Sequence, residues 1–186
     1  MSGPSTIAEA VAILRRGGVL AYPTEGVWGL GCDPFDEAAV TRLLALKRRP
    51  VEKGLILVAS TASQLDDLVD WNALAPATRG EVFDSWPGPH TWIVPVTARV
   101  PRWITGAHDS VAVRVSAHPV VAALCGAYGA ALVSTSANVG GMPAPRTRVE
   151  LALDIIAGVD AIVAGETSGL AQPTSIRDAR DGCRIR

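Results

Sequence analysis

Between Thr6 and Arg16, the apolar residues Ile7, Ala10, Val11 and Leu14 recur at the three-and-four spacing of a helix buried on one face, and Thr6 with Glu9 forms a capping-box pair at its start. Gly17 and Gly18 stop that helix, and the unbroken apolar run from Val19 to Tyr22 reads as a buried strand ending at Pro23. Asp36 is placed to cap a second helix with Val40, Leu43, Leu44 and Lys47 on its inner face. A basic loop then leads into the β-rich run 55–59. Further on, the pattern predicts a helical region from about Ser63 to Trp86 interrupted near Pro76, then a strand over 91–96 and a long loop. The rest reads as strand 111–115, helix Pro119 to Tyr128, strand 130–134 opening into Thr-Ser-Ala-Asn, helix Thr147 to Ala157, strand 160–164 and a short final strand over 174–177.

Helices alternate with strands, but some strand-to-strand links are short, so the pattern predicts an α/β (mixed α+β) protein: a single twisted mixed sheet flanked by helices, not a purely parallel doubly wound one. With 186 residues, no internal repeat and no linker, residues 1–186 are expected to form one domain, large enough to bury roughly 70% of its unfolded surface. Hydrophobic residues at 48% and charged residues at 19% exclude the composition of a disordered chain. A formal charge of −1 provides no global pull toward nucleic acid, although a local basic patch fits within a balanced total. Cys32, Cys125 and Cys183 are odd in number and far apart, which argues against a disulfide framework or a zinc site and fits a reducing cytoplasm. The N-terminus lacks a basic start followed by an apolar run, so neither export nor membrane insertion is expected.

Five segments carry candidate chemistry. In 22–34, a strand ends at Pro23 and glycines 26, 29 and 31 allow close approach of backbone to a ligand, with the Thr24 hydroxyl and the Glu25 carboxylate at the mouth. The plainer alternative is a Gly-rich hairpin with Trp28 in the core; neither GxGxxG nor GxxxxGK[ST] is present. Residues 46–54 place Lys47, Arg48, Arg49 and Lys53 where a helix ends, a density suited to a triphosphate but also to compensation of the helix dipole. Ser134, Thr135, Ser136 and Asn138 cluster neutral donors after a buried strand, suited to gripping phosphate or carboxylate oxygens, or simply a self-capping polar turn. Arg114 is a lone cation in an apolar strand and must reach solvent or an anion; its planar fork suits a carboxylate. Ser175 and Arg177 lie in a short polar segment near the end of the chain. No grouping of His, Cys and carboxylates has metal-ligand spacing.

In order, YPTEGVWGLGCDP, LKRRPVEKGLILVAS, WPGPHTWIVP, VAVRVSAHP, LVSTSANVGGMPAP and PTSIRD resemble the successive signature blocks of the YrdC-like family, in its short single-domain bacterial form, from Gly17 to Asp178. The resemblance implies a YrdC-like fold with a concave basic groove. It implies the conversion of L-threonine, bicarbonate and ATP to threonylcarbamoyl-adenylate and pyrophosphate, the first step of threonylcarbamoyladenosine formation at position 37 of tRNA, with Mg²⁺ arriving on the ATP. By the same resemblance, Lys47, Arg49, Lys53, Ser110, Ser136 and Asn138 would bind ATP, and Thr24, Arg114, Ser134 and Ser175 would bind threonine or border it, with no covalent role assigned to any side chain. TRNA-modifying proteins would be partners. The rival reading is a module of the same fold that docks tRNA or double-stranded RNA without catalysis. Gly26, Gly54 and His90 depart from the commonest family residues, Thr or Ala at the first position, Pro at the second and an apolar residue at the third, and a glycine at 54 points to a looser second loop.

Overall fold

A computed structural model describes residues 3–170 and 174–185; Pro173, which opens the last of the resembling blocks, lies outside them. Helix α1, Ile7–Leu14, starts with the expected capping box, Thr6 N donating to Glu9 Oε2 at 2.8 Å and Glu9 N to Thr6 Oγ1 at 3.3 Å. Strands β1 (Leu20–Pro23) and β2 (Trp28–Gly31) form a hairpin closed by Thr24–Val27, with Trp28 buried. Asp36 caps α2, Glu37–Lys47, accepting from Ala39 N at 3.0 Å. The chain continues through β3 (Ile56–Ala59), α3 (Pro76–Asp84), β4 (His90–Pro95), α4 (Arg102–Thr105), β5 (Ser110–Val115), α5 (Pro119–Tyr128), β6 (Leu132–Ser136), α6 (Leu153–Gly158), β7 (Ala161–Ile162) and β8 (Ser175–Asp178).

Three elements depart from the periodic reading. The region from Ser63 is two 3₁₀ turns, Ala62–Leu65 and Trp71–Ala73, and the helix proper begins at Pro76, which sits in its first turn and starts it instead of interrupting it. Tertiary pairing overrides helical spacing there: Val69 bridges Val96, and Asp70 N donates to Pro95 O at 3.0 Å, so the chain is held extended beside the end of β4. The predicted helix from Thr147 likewise splits into a 3₁₀ turn, Arg148–Glu150, and α6. The long loop contains α4, and β6 continues through Ser136, so Thr135 and Ser136 lie within the strand and Asn138 beyond it.

Among the described residues the strands form one sheet in the order β7-β1-β2-β6-β3-β5-β4-β8. The pairs β1/β7, β3/β5 and β4/β8 are parallel and the others antiparallel, the mixed sheet that was expected. Alternate residues enter two separate cores. Ala21, Leu57, Val113 and Val133 pack on one face with α2 and residues of α3 and α4; Leu20, Tyr22, Val58 and Leu132 pack on the other beneath α1 and α5. On that second face the cross-strand row Ser134, Ile56, Ala112, Ile93 and Asp178 has no helix over it and forms the floor of a groove.

Tyr22 lies across β2 and donates from its hydroxyl to Val133 O at 3.1 Å. It can do so because residue 31 is glycine: a Cβ there would lie 2.3 Å from Val133 O and 2.7 Å from the Tyr22 ring and hydroxyl. Gly31→Ala is therefore expected to lower the unfolding free energy by about 1–3 kcal/mol, a drop in melting temperature of a few degrees, measurable by urea and thermal denaturation.

Candidate active site

The groove has a volume of about 520 Å³, within the size range of small-molecule sites. Its walls come from four places: the β1–β2 turn (Thr24, Gly26, Val27), the loop after α2 (Arg49, Lys53, Gly54), the α4–β5 connection (Thr105, His108, Ser110) and the C-terminal segment (Arg180, Ile185). Arg49, Lys53, Arg114 and Arg180 are the cations among the described lining residues, against the single acid Asp178. Asp178 and Asp109 both engage Arg180, at 2.7 and 3.2 Å, and Glu25 pairs with Arg114, which leaves Arg49 and Lys53 to set the sign of the groove.

The basic loop is folded around its own arginine. Arg49 donates from Nη2 to the carbonyls of Gly54 at 2.8 Å and Lys53 at 3.2 Å. Gly54 has φ +61°, a value closed to proline, and a Cβ on it would stand 3.0 Å from Thr105 O. The loop is thus fastened on both sides, and the expectation that a glycine here would loosen it is not met. Arg49 is consequently only partly available to a ligand, whereas no hydrogen bond competes for the Lys53 ammonium among those described.

Lys47 is buried and does not line the groove. Its Nζ donates to Ser136 O and to Asn138 O, the latter at 2.9 Å, tying the end of α2 to the chain leaving β6. Burial, with the charge of Arg49 as a smaller cause, pushes its ammonium from the usual 10.5 down to about 8. Asn138 likewise stands behind the wall: it accepts from Ser136 Oγ at 2.5 Å and donates to Met142 O at 2.7 Å. Ser175 is on the opposite face of β8 from the groove, hydrogen-bonded to His90 Nδ1 at 3.1 Å, because alternation along the strand turns Thr174, Ile176 and Asp178 inward. Of the residues singled out from sequence, the groove brings together Thr24, Arg49, Lys53, Ser110, Arg114, Ser134 and Ser136; Lys47, Asn138 and Ser175 support it from behind or face away.

Arg114 is 4% exposed and finds the anion its position demanded. Its Nη2 lies 3.4 Å from Glu25 Oε2, and its Nη1 donates to Thr174 Oγ1 at 3.1 Å and Thr91 Oγ1 at 3.5 Å. The sequence placed Glu25 at the mouth of the Gly-rich turn but gave it no partner. The signal was available: a buried arginine needs an acid, and Glu25 sits at a turn whose strand is in the same sheet. The Thr24 hydroxyl donates to Val27 O at 2.7 Å and holds that turn closed. Thr105, also missed, borders the groove, but its Oγ1 is buried and without a hydrogen-bond partner.

A family model named for Sua5, YciO and YrdC and described as telomere recombination matches residues 12–186. The threonylcarbamoyl-AMP synthase of Xanthomonas euvesicatoria pv. vesicatoria (strain 85-10) is 63% identical over 186 residues, covering all of both chains. That of Xanthomonas oryzae pv. oryzae (strain PXO99A) is 64% identical over 181 residues, 97% of each. Among solved structures, E. coli YciO is similar with a TM-score of 0.84 at 26% identity, over 100% of this chain and 94% of its own. P. abyssi Sua5 complexed with L-threonine has a TM-score of 0.85 at 33% identity over 92% of this chain, and this chain spans 50% of it.

The lowered proton affinity of Lys47 gives a pH prediction whose sign follows from linkage. From about pH 8 to 10.5 the unfolded chain retains a proton that the folded chain has released, so stability rises with pH through that window, by on the order of 2–3 kcal/mol. The unfolding free energy of the wild type relative to Lys47→Met should increase over the same interval in paired urea titrations; a difference that stays flat contradicts it.

Proposed function

Because the chain belongs to the Sua5/YciO/YrdC family, we propose that its groove assembles ATP, L-threonine and bicarbonate and converts them to threonylcarbamoyl-AMP and pyrophosphate. Relatives that bear the name of this activity match the chain end to end at 63–64% identity. The observation that carries the reading in the structure is the placing of two anion-binding regions along one floor. The basic loop and Ser110 stand at the N-terminal ends of the parallel strands β3 and β5. Arg114, four residues further along β5, is roughly 13 Å away along the strand. Ser134, opposite Ile56 in the middle row, lies between them.

ATP then lies with its phosphates at Lys53 and Arg49, and threonine with its carboxylate at Arg114. The threonine nitrogen, as the free amine after loss of a proton to solvent, combines with bicarbonate to a carbamate with release of water, and a carbamate oxygen then attacks the α-phosphorus as pyrophosphate leaves. This sequence asks the protein for alignment and for neutralisation of phosphate charge, and alignment alone accounts for about 7–11 kcal/mol in favourable cases. The groove's neutral hydroxyls, Thr24, Ser110, Ser134 and Ser136, suit such a role. Mg²⁺ enters with the nucleotide as part of the substrate. The product passes to tRNA-modifying partners in the cytoplasm. No helix among the described residues is long and apolar enough to cross a membrane.

Pyrophosphate release from ATP by the purified protein should require both L-threonine and bicarbonate, and L-serine should substitute poorly. Release under no condition, with RNA retained at moderate salt, favours a binding module instead. Lys53→Ala should lower kcat/KM for ATP by roughly 10- to 100-fold, the cost of one charge-assisted contact. Arg114→Ala should raise KM for threonine more than KM for ATP; steady-state kinetics with each substrate varied decides both.

A further inference from the structure

The buried pair of Arg114 and Glu25 is incomplete. The two side chains are 5% and 7% exposed, and Glu25 Oε2 lies 3.4 Å from Arg114 Nη2, close enough to be an ion pair but without hydrogen-bond geometry. Glu25 Oε2 and Arg114 Nε are two of only four buried side-chain polar atoms among the described residues that have no hydrogen-bond partner. The other ends of both groups are anchored. Glu25 Oε1 accepts from Ser116 Oγ at 2.7 Å, and the Glu25 carbonyl accepts from Leu170 N at 3.1 Å. Arg114 Nη1 is held by Thr174 at 3.1 Å. What remains without a hydrogen-bond partner is one buried oxygen of the acid and, beside it, Nε on the guanidinium edge whose Nη2 faces that oxygen, the edge that receives a carboxylate side-on once Glu25 has moved off it.

A buried acid and base left half-satisfied cost stability unless something completes them. A zwitterion does so: its carboxylate takes the Nε/Nη2 edge and its ammonium takes the adjacent oxygen, with no change in net buried charge. We propose that Glu25 is the residue that recognises the α-ammonium of the amino-acid substrate, giving up its contact with Arg114 as the substrate carboxylate takes that place. The inference rests on the reading of the groove as a threonine site and assigns the part of that site which Arg114 does not supply. Glu25 is here a specificity residue: an α-hydroxy acid of the same shape would satisfy Arg114 but leave the carboxylate of Glu25 facing a neutral hydroxyl. The β1–β2 turn thereby acquires a task beyond closing a hairpin, since it sets the carboxylate at a fixed distance from β5.

The test compares L-threonine with 2,3-dihydroxybutanoate, in which a hydroxyl replaces the ammonium, as ligands of the intact protein by calorimetry and as substrate and competitor in the pyrophosphate assay. The wild type should prefer threonine by roughly 10- to 100-fold, the fold-change expected for one charge-assisted contact. Glu25→Gln, which keeps the shape and the acceptor for Ser116, should lose that preference: KM for threonine rises by a similar factor, the analogue binds as well as before or better, and KM for ATP stays. A wild type that binds both ligands equally overturns the proposal without any variant. Equal loss of both ligands in Glu25→Gln, or threonine KM unchanged in a variant that still turns over, also overturns it while leaving the synthase reading intact. No pyrophosphate release from the wild type removes both.

Discussion

An eight-stranded sheet has two faces to keep from water, and in this protein helices cover one face more completely than the other. α1 and α5 shield the β7-β1-β2-β6-β3 side of the second face and stop near Val58. Beyond that line lie β5, β4 and β8, and their inward residues become groove floor instead of core. The site is a consequence of this incomplete cover: a concave surface already backed by a packed sheet needs no loop to order itself before a ligand arrives. Arg114 marks the boundary. It pairs across the sheet with Val58, which is buried under α5, yet it lines the groove. A cation at that border is shielded enough for its charge to count and open enough to meet an anion.

The walls are fixed by contacts that never touch the floor. Lys47 joins the end of α2 to the carbonyls of Ser136, which ends β6, and of Asn138 just beyond it, and Arg49 gathers the loop that follows. On the far side, Leu170 and Ser168 donate to the carbonyls of Glu25 and Thr24, so a segment distant in sequence holds the hairpin turn in place. These ties use charged or polar groups as structural bolts, which explains why a count of cations overstates how many are free to bind phosphate. Of the basic side chains at the end of α2, Lys47 is consumed by backbone carbonyls, Arg48 faces Asp154, and Arg49 is shared between its own loop and the groove.

This division accounts for what could be read from the chain. Elements with strong local signals, such as α1 with its capping box and α2 with Asp36, appear where spacing put them, and the mixed character of the sheet followed from the short strand links. The helix expected across Ser63 to Pro76 failed because Val69 and Asp70 pair with the end of β4, a contact that no local pattern encodes. At the site, the segments were legible but the facing of individual residues was not. Ser175 and Thr174 differ by one position, and alternation along β8 decides which of them meets Arg114. The charge of Lys47 and the family resemblance assign it to phosphate, and the carbonyls that hold its ammonium here are not visible in the sequence.

The same reasoning bears on why the groove is furnished as it is. Its hydroxyls are neutral and several are already engaged, Thr24 with Val27 and Ser136 with Asn138, so none stands paired with a base that would make it a nucleophile. His118, buried near Glu25, spends its imidazole on Val120 N and Glu166 O, holding the start of α5 against the 165–170 segment. Chemistry here must therefore come from where charges are held, not from a side chain that forms a bond. Held charges work best when they need not reorganise, and those at this site are anchored by neighbouring groups: Arg49 by Gly54, Arg114 by Thr174, Glu25 by Ser116. A fold that leaves part of a sheet face bare and fastens its charges there has already met, before any substrate binds, part of the ordering cost that bringing three reactants together would otherwise impose.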